Sequence, residues 1–420
     1  MYQRLAEHVE RHRADLQRFA SELIRTPSPS GGEGAVASLV AEAMRAQGFD
    51  DVRIDEVGNV VGVIRGANTG PSVLFCSHLD TGEPAELERW AHPPCEPVEA
   101  DGYLLGLGAA DSKGAIASQV FGAAALRALA APLSGDVVVA GVVMAEQAEA
   151  FGVGHLFDVT LPAMGLSKPA LAVMGDPTGL DLYLGQRGRL ELELMTIGRT
   201  AHAAVPGLGV NAAYKMAGIV EDLQALSQTL PSHPFLEKST VALTNLECAP
   251  ARFSIIPDRC VASIDRRFLP TESLDTVVMQ IQSLISRAAE KDPNFKAEVR
   301  IRTVEEKAYT GVTKQVPKLL SPFLTSDKHP MVVASIAALT AVGQAPRFDK
   351  WCFSTEGGYV ATIAGVPTIG YAPGEEKYAH TPYDRVRIAS LGDAALGMAA
   401  IAFAIASQAP GREAAREEHA

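Results

Sequence analysis

Short, almost wholly apolar runs separated by helical stretches constrain this chain more than any other feature. VLFCS (73–77), DVVVAGVVM (136–144) and LAVM (171–174) read as buried strands. Between them AIASQVFGAAALRALA (115–130) is rich in alanine with helical periodicity. Such alternation is the pattern of an α/β fold. It resumes late, where MVVASIAALTAV (331–342) predicts a helix and VPTIGYA (366–372) a strand. The middle differs. LYLGQRGRLELELMTIG (182–198), STVALTNLEC (239–248), RCVASIDRRF (259–268) and FKAEVRIRT (295–303) read as polar-alternating strands, with helices at 211–226 and 274–290. That β-α-β-β-α-β order predicts a small ferredoxin-like α+β domain at 185–303, inserted into a discontinuous α/β domain of 1–184 and 304–420.

Composition narrows the function classes. A chain of 420 residues, 47% hydrophobic and 20% charged, has material for more than one core. The formal net charge of -12 argues against a nucleic-acid partner, since phosphate binding needs clustered Lys and Arg. Five cysteines (Cys76, Cys95, Cys248, Cys260, Cys352) form no CxxC pair. That suits a reducing, cytoplasmic setting and speaks against a disulfide framework or a thiolate zinc site. MYQRLAEHVERHRADLQRFA has no apolar signal core and predicts an amphipathic helix. IASLGDAALGMAAIAFAIAS (388–407) approaches the apolarity of a membrane span, but Asp393 interrupts it and small residues fill it. A buried helix, and no membrane, is the expectation. The polar tail APGREAAREEHA (409–420) is expected to fray.

Candidate chemistry sits where the strands end. His78 and Asp80 follow VLFCS, Glu146 follows VVVAGVVM, and Asp176 follows LAVMG. His380 lies beyond VPTIGYA, and Asp111 lies in GLGAADSKG before a helix. Sites in open α/β sheets form outside the carboxyl ends of the strands, so these scattered groups can converge. Each alone has a plainer explanation: Asp111 as a helix cap, Asp176 as a turn residue before Pro177, the others as solvated side chains. Jointly, imidazole and carboxylate without thiolate make a ligand set suited to Zn²⁺, Mn²⁺ or Co²⁺. Asp80 is spaced to accept the other ring N–H of His78. Glu146 would be the general base toward a metal-bound water.

SHLDTG, GLGAADSKG, MAEQAEAFGVG, VMGDPTG and YAPGEEKYAHTPYD also resemble the motifs of the di-zinc metallopeptidases that include acetylornithine deacetylase, succinyl-diaminopimelate desuccinylase and aminoacylase. LYLGQRGRLEL, NAAYKM, IDRRF and FDKWCFSTEGGYVA are most similar to the selenium-metabolism-linked (YgeY-type) branch. The resemblance implies a zinc aminopeptidase-like catalytic domain, a mixed sheet flanked by helices, with an inserted lid that forms a homodimer. It implies His78 and Asp176 on one metal, Asp111 bridging, His380 on a second, Asp80 orienting and Glu146 as base. His202 matches a lid histidine that polarises the scissile carbonyl in the partner's site. Arg266 matches a substrate-carboxylate anchor, a role Arg267 could fill instead. Ser354 and Thr355 match a substrate-contacting loop. Hydrolysis of a peptide, N-acyl or ureido amide in a small amino-acid-derived compound is the implied reaction.

The chain departs from that pattern at Gln147, where relatives carry a second-metal glutamate. Three outcomes stay open: Glu149 substitutes as ligand, one Zn²⁺ suffices, or the protein is a weakened relative with a binding or regulatory role. Ser254 replaces a common asparagine and Leu107 a common basic residue.

Overall fold

The computed structural model describes residues 1–84 and 86–408, so the polar tail lies outside the described residues. Three helices open the chain, α1 (Tyr2–Arg11), α2 (Arg13–Arg25) and α3 (Gly34–Ala46). β1 (Asp51–Ile54), β2 (Val60–Ile64), β3 (Val73–His78), α4 (Gly114–Ala128), β4 (Val137–Val142), β5 (Leu171–Met174) and β6 (Leu182–Tyr183) follow. Next come β7 (Gly188–Ile197), α5 (Ala212–Thr229), β8 (Thr240–Ala249), β9 (Arg259–Phe268), α6 (Leu274–Lys291), β10 (Ala297–Ile301) and β11 (Leu319–Leu320). The chain closes through α7 (Pro330–Ala341), β12 (Phe348–Asp349), β13 (Thr368–Gly370) and α8 (Ile388–Ala406).

The larger sheet has the order β1-β2-β4-β3-β5-β13-β6-β12. Its centre, β4-β3-β5-β13, is parallel, while β1, β2 and the β13–β6 pair are antiparallel. β3, β4 and β5 are buried at every position, as strands covered on both faces must be. One face packs on α1 to α4 and α8; the other packs on residues 151–164 and the ring of Trp351. The expected α/β class with a mixed, helix-flanked sheet is therefore the observed one. Sequence reading had passed over β1 and β2, whose edge position leaves β1 half exposed.

α8 is long and apolar enough to cross a membrane, yet most of it is buried inside the molecule. Its small residues allow close approach to α4: a Cβ on Gly122 would meet the Ala395 carbonyl at 2.6 Å. Helix-to-helix packing accounts for its composition.

The smaller sheet runs β8-β9-β7-β10, antiparallel throughout, with α5 and α6 on one face. Its order is that of a ferredoxin-like unit. Asn211 caps α5 and Ser273 caps α6 through side-chain oxygens that accept first-turn N–H groups. β11 also pairs with β7, so the smaller sheet draws one further strand from beyond residue 303.

Gly175 shows how tightly the site is seated. A Cβ there would lie 1.9 Å from Ser77 Oγ and 2.8 Å from Gln119 Nε2, between β3 and α4. Gly175→Ala should cost about 1–3 kcal/mol by overpacking and displace the adjacent Asp176. A thermal-unfolding midpoint equal to the parent's would refute this.

Candidate metal centre

The parallel core delivers the polar groups to one edge. His78 ends β3, Glu146 follows β4, Asp176 follows β5 and His380 follows β13. Ligand atoms of His78, Asp111 and Glu146 all lie within 4.8 Å of one another. Asp111 divides its carboxylate: Oδ1 is 2.8 Å from His78 Nε2 and Oδ2 is 3.5 Å from His380 Nε2. His380 Nε2 is also 3.5 Å from Glu146 Oε1, and its backbone takes a positive φ of 56°. Asp176 lines the same cavity but stands outside the tightest group. Two imidazoles facing three carboxylates fit a divalent cation of the Zn²⁺ or Mn²⁺ type.

Asp80 works differently from its sequence expectation. The tight partner of His78 Nδ1 is the Asp80 backbone carbonyl at 2.8 Å; the carboxylate Oδ1 is 3.6 Å away. That carboxylate instead accepts the Ala145 and Glu146 backbone N–H groups, at 3.1 and 2.9 Å, and the Ser30 hydroxyl. Asp80 thus orients the ring with its backbone and the Glu146 loop with its side chain.

Charge crowding sets the proton affinities. Burial pushes the Glu146 carboxyl up to about 7, helped by Asp111 and opposed by His78 and His380. Burial and the Asp111 charge push Asp176 up to about 7. Burial would raise Asp111 too, but the His78 charge and the hydrogen bonds of both histidines hold it well below the usual range. The Asp111 hydrogen bond raises His380 to about 9 against the effect of burial.

The cavity over this cluster has a volume of about 290 Å³. Arg189, Arg267, Ser354 and Thr355 line it beyond the cluster. Arg266, the expected anchor, is not there. It is wholly buried in the smaller unit, with Nη2 2.5 Å from Glu272 Oε1. Successive residues of β9 face opposite ways, so the cavity receives Arg267, which also donates to Ser354 Oγ at 3.2 Å. The Thr355 hydroxyl is committed to Gln186 Oε1 at 2.8 Å. His202 is exposed in the smaller unit, bridged to Ile255 beside Ser254, and does not line its own chain's cavity. Gln147 is exposed and does not line the cavity, and Glu149 is buried and ion-paired to Lys318 and Arg189.

Two further contributors lie inside the motifs but were not among the expected site residues. Glu356 is buried beside the cluster with Oε1 unpartnered, and burial reinforced by the Asp80 charge pushes its carboxyl well up. Asp384 accepts the Gly108 and Ala110 N–H groups at 2.5 and 2.8 Å, fastening the Asp111 turn to the His380 loop. Its signal in the sequence was its place at the end of YAPGEEKYAHTPYD, four residues after His380.

Residues 184–293 match a family model described as a peptidase dimerisation domain. Over 383 residues the chain is 31% identical to the uncharacterized protein YgeY of Escherichia coli (strain K12), covering 91% of this chain and 92% of that one. It is 26% identical to the N-formyl-4-amino-5-aminomethyl-2-methylpyrimidine deformylase of Bacillus subtilis (strain 168), covering 92% and 93%. A solved tripeptidase from Staphylococcus aureus superposes with TM-score 0.74 at 21% identity, covering 94% and 99%, a likeness of fold.

Any cation that binds must displace the protons held here. With His380 protonated to about 9 and Glu146 and Asp176 to about 7, Zn²⁺ or Mn²⁺ binding should release protons at pH 7. Affinity should rise from pH 7 to 9 and level off above. Calorimetry in buffers of different ionisation enthalpy reads both; a pH-independent affinity without proton release contradicts the assignment.

Proposed function

The chain belongs to the M20 family of metal-dependent peptidases and amidohydrolases, and from that premise we propose that it hydrolyses a peptide, N-acyl or ureido amide in a small amino-acid-derived substrate. The observation that carries this reading is the Glu146 carboxyl, raised to about 7, within one ligand-atom cluster with His78 and Asp111 under a cavity of small-molecule size. A base poised near neutral pH suits proton transfer in both directions. In this reading His78, Asp111 and Asp176 hold one Zn²⁺ (or Mn²⁺ or Co²⁺), and Asp111, Glu146 and His380 face a second position. A bound cation supplies Lewis acidity toward the amide carbonyl and lowers the pKa of water.

Glu146 takes a proton from the attacking water and returns it to the leaving nitrogen. Asp80 fixes the His78 ring and the start of the Glu146 loop. Arg267, rather than Arg266, pairs with a substrate carboxylate across the cavity. Residues 1–184 and 304–420 act as the catalytic domain, and 185–303 as a lid that dimerises. His202, exposed and absent from the lining of its own cavity, serves the partner's site as an oxyanion donor. The five free thiols suit a cytoplasmic setting. A binding or regulatory role has no support, because the acid and base groups are kept in place.

Glu146→Gln should lower kcat by roughly 10²–10⁴-fold while the cation on His78, Asp111 and Asp176 is retained. Arg267→Met should raise KM on the order of tenfold or more for carboxylate-bearing amides, with little effect on amides lacking one. Assays across a panel of N-acyl amino acids, dipeptides and carbamoyl compounds read both. Full turnover after exhaustive chelation would sink the reading.

The trans role has a separate test. Mixing inactive His202→Ala and Glu146→Gln proteins under subunit exchange should restore roughly a quarter of the parent rate, from the one intact site in each mixed dimer. No recovery on mixing places His202 in cis.

A further inference from the structure

The loop that carries Glu146 is held from two sides. On the sheet side, the Asp80 carboxylate accepts the N–H groups of Ala145 and Glu146. On the other side stands Lys318, a lysine only 9% exposed. Its Nζ donates to the Gln147 backbone carbonyl and lies 2.9 Å from Glu149 Oε2. The second oxygen of Glu149 is 3.4 Å from Arg189 Nη1. Both cations belong to the smaller sheet. Arg189 lies on β7, and Lys318 directly precedes β11, which pairs with β7. The Lys318 backbone is knitted to the same sheet, its N–H bonded to the Arg302 carbonyl at 2.8 Å and its carbonyl accepting the Glu191 N–H at 3.0 Å. Glu146 therefore sits between one anchor in the larger unit and one in the smaller.

We propose that Lys318 is a positioning residue for Glu146, gripping the 145–150 loop at the Gln147 carbonyl and the Glu149 carboxylate so that the base is aligned only when the two units are docked. This rests on Glu146 being the base. It also gives Glu149 a role other than metal ligation. Its carboxylate keeps the buried Lys318 ammonium neutralised, and a lysine so placed without a counter-ion is strongly disfavoured. A loop displaced by an ångström is enough to misalign a proton transfer.

The experiment is a double-mutant cycle on the metal-loaded enzyme with Lys318→Met, Lys318→Arg, Glu149→Gln, Glu146→Gln and the Lys318→Met/Glu146→Gln pair. Lys318→Met should lower kcat on the order of 10–100-fold, leave KM within about threefold and keep the full metal content. Lys318→Arg should recover most of kcat. In the Glu146→Gln background Lys318→Met should cause no further loss, because it acts through that base. A folded Lys318→Met enzyme with parental kcat, or an equal loss in both backgrounds, overturns the proposal while leaving Glu146 as the base. Parental kcat in Glu146→Gln overturns the base assignment and this proposal with it. Should Lys318→Met fail to fold, Glu149→Gln carries the test. A lowered kcat with unchanged metal supports the grip, whereas loss of a metal equivalent makes Glu149 a ligand and overturns it.

Discussion

An excess of buried negative charge governs this molecule. Asp80, Asp111 and Glu356 are buried within one small region, with Glu146 and Asp176 at its edge, and His78 and His380 set positive charge directly against Asp111. Removing carboxylates from water is costly unless each finds a partner. The fold meets that cost unevenly. Asp80 is satisfied by two backbone N–H groups and a serine, and Asp111 by one histidine on each oxygen. Glu146, Asp176 and Glu356 are left to the cluster and respond by holding protons at higher pH. A proton on such a group stands where a divalent cation's charge would act. One imbalance thus links the donor set, the shifted proton affinities and the availability of a base near neutral pH.

The sheet makes the crowding possible. Strands β4, β3, β5 and β13 are adjacent and parallel, so the residues just past their carboxyl ends emerge together although they span more than half the chain. This much was legible, because strands buried on both faces are apolar throughout and their ends show as the first polar residues. The helical alternation and the β-α-β-β-α-β order of the middle were legible for the same reason: periodicity follows from which faces are covered.

What escaped the sequence was set by direction and by tertiary contact. IDRRF offers two arginines, and a strand alternates its faces residue by residue. The register pairing Arg189 with Arg267 puts both on the cavity side and turns Arg266 toward Glu272. Spacing could name the pair but not its orientation. Asp80 is similar: two residues from His78, it can reach the ring with either its carbonyl or its carboxylate, and the loop N–H groups claim the carboxylate. Lys318 lies outside every motif, whereas Arg189 in LYLGQRGRLEL and Glu356 in FDKWCFSTEGGYVA lie inside one, and the roles of all three show only in their tertiary contacts.

Gln147 can now be weighed on charge. Glutamine is an uncharged amide, so it does not supply the negative charge that a glutamate would bring to that position. Glu149 is the nearest substitute, but moving its carboxylate to the cluster would strip the counter-ion from Lys318 and leave a buried ammonium unpaired. Glu146 Oε1 already faces His380 Nε2 at 3.5 Å, across from Asp111. A second cation would therefore meet one imidazole, a shared Asp111 and the carboxylate that also has to move protons. That set carries less negative charge than one with a dedicated glutamate.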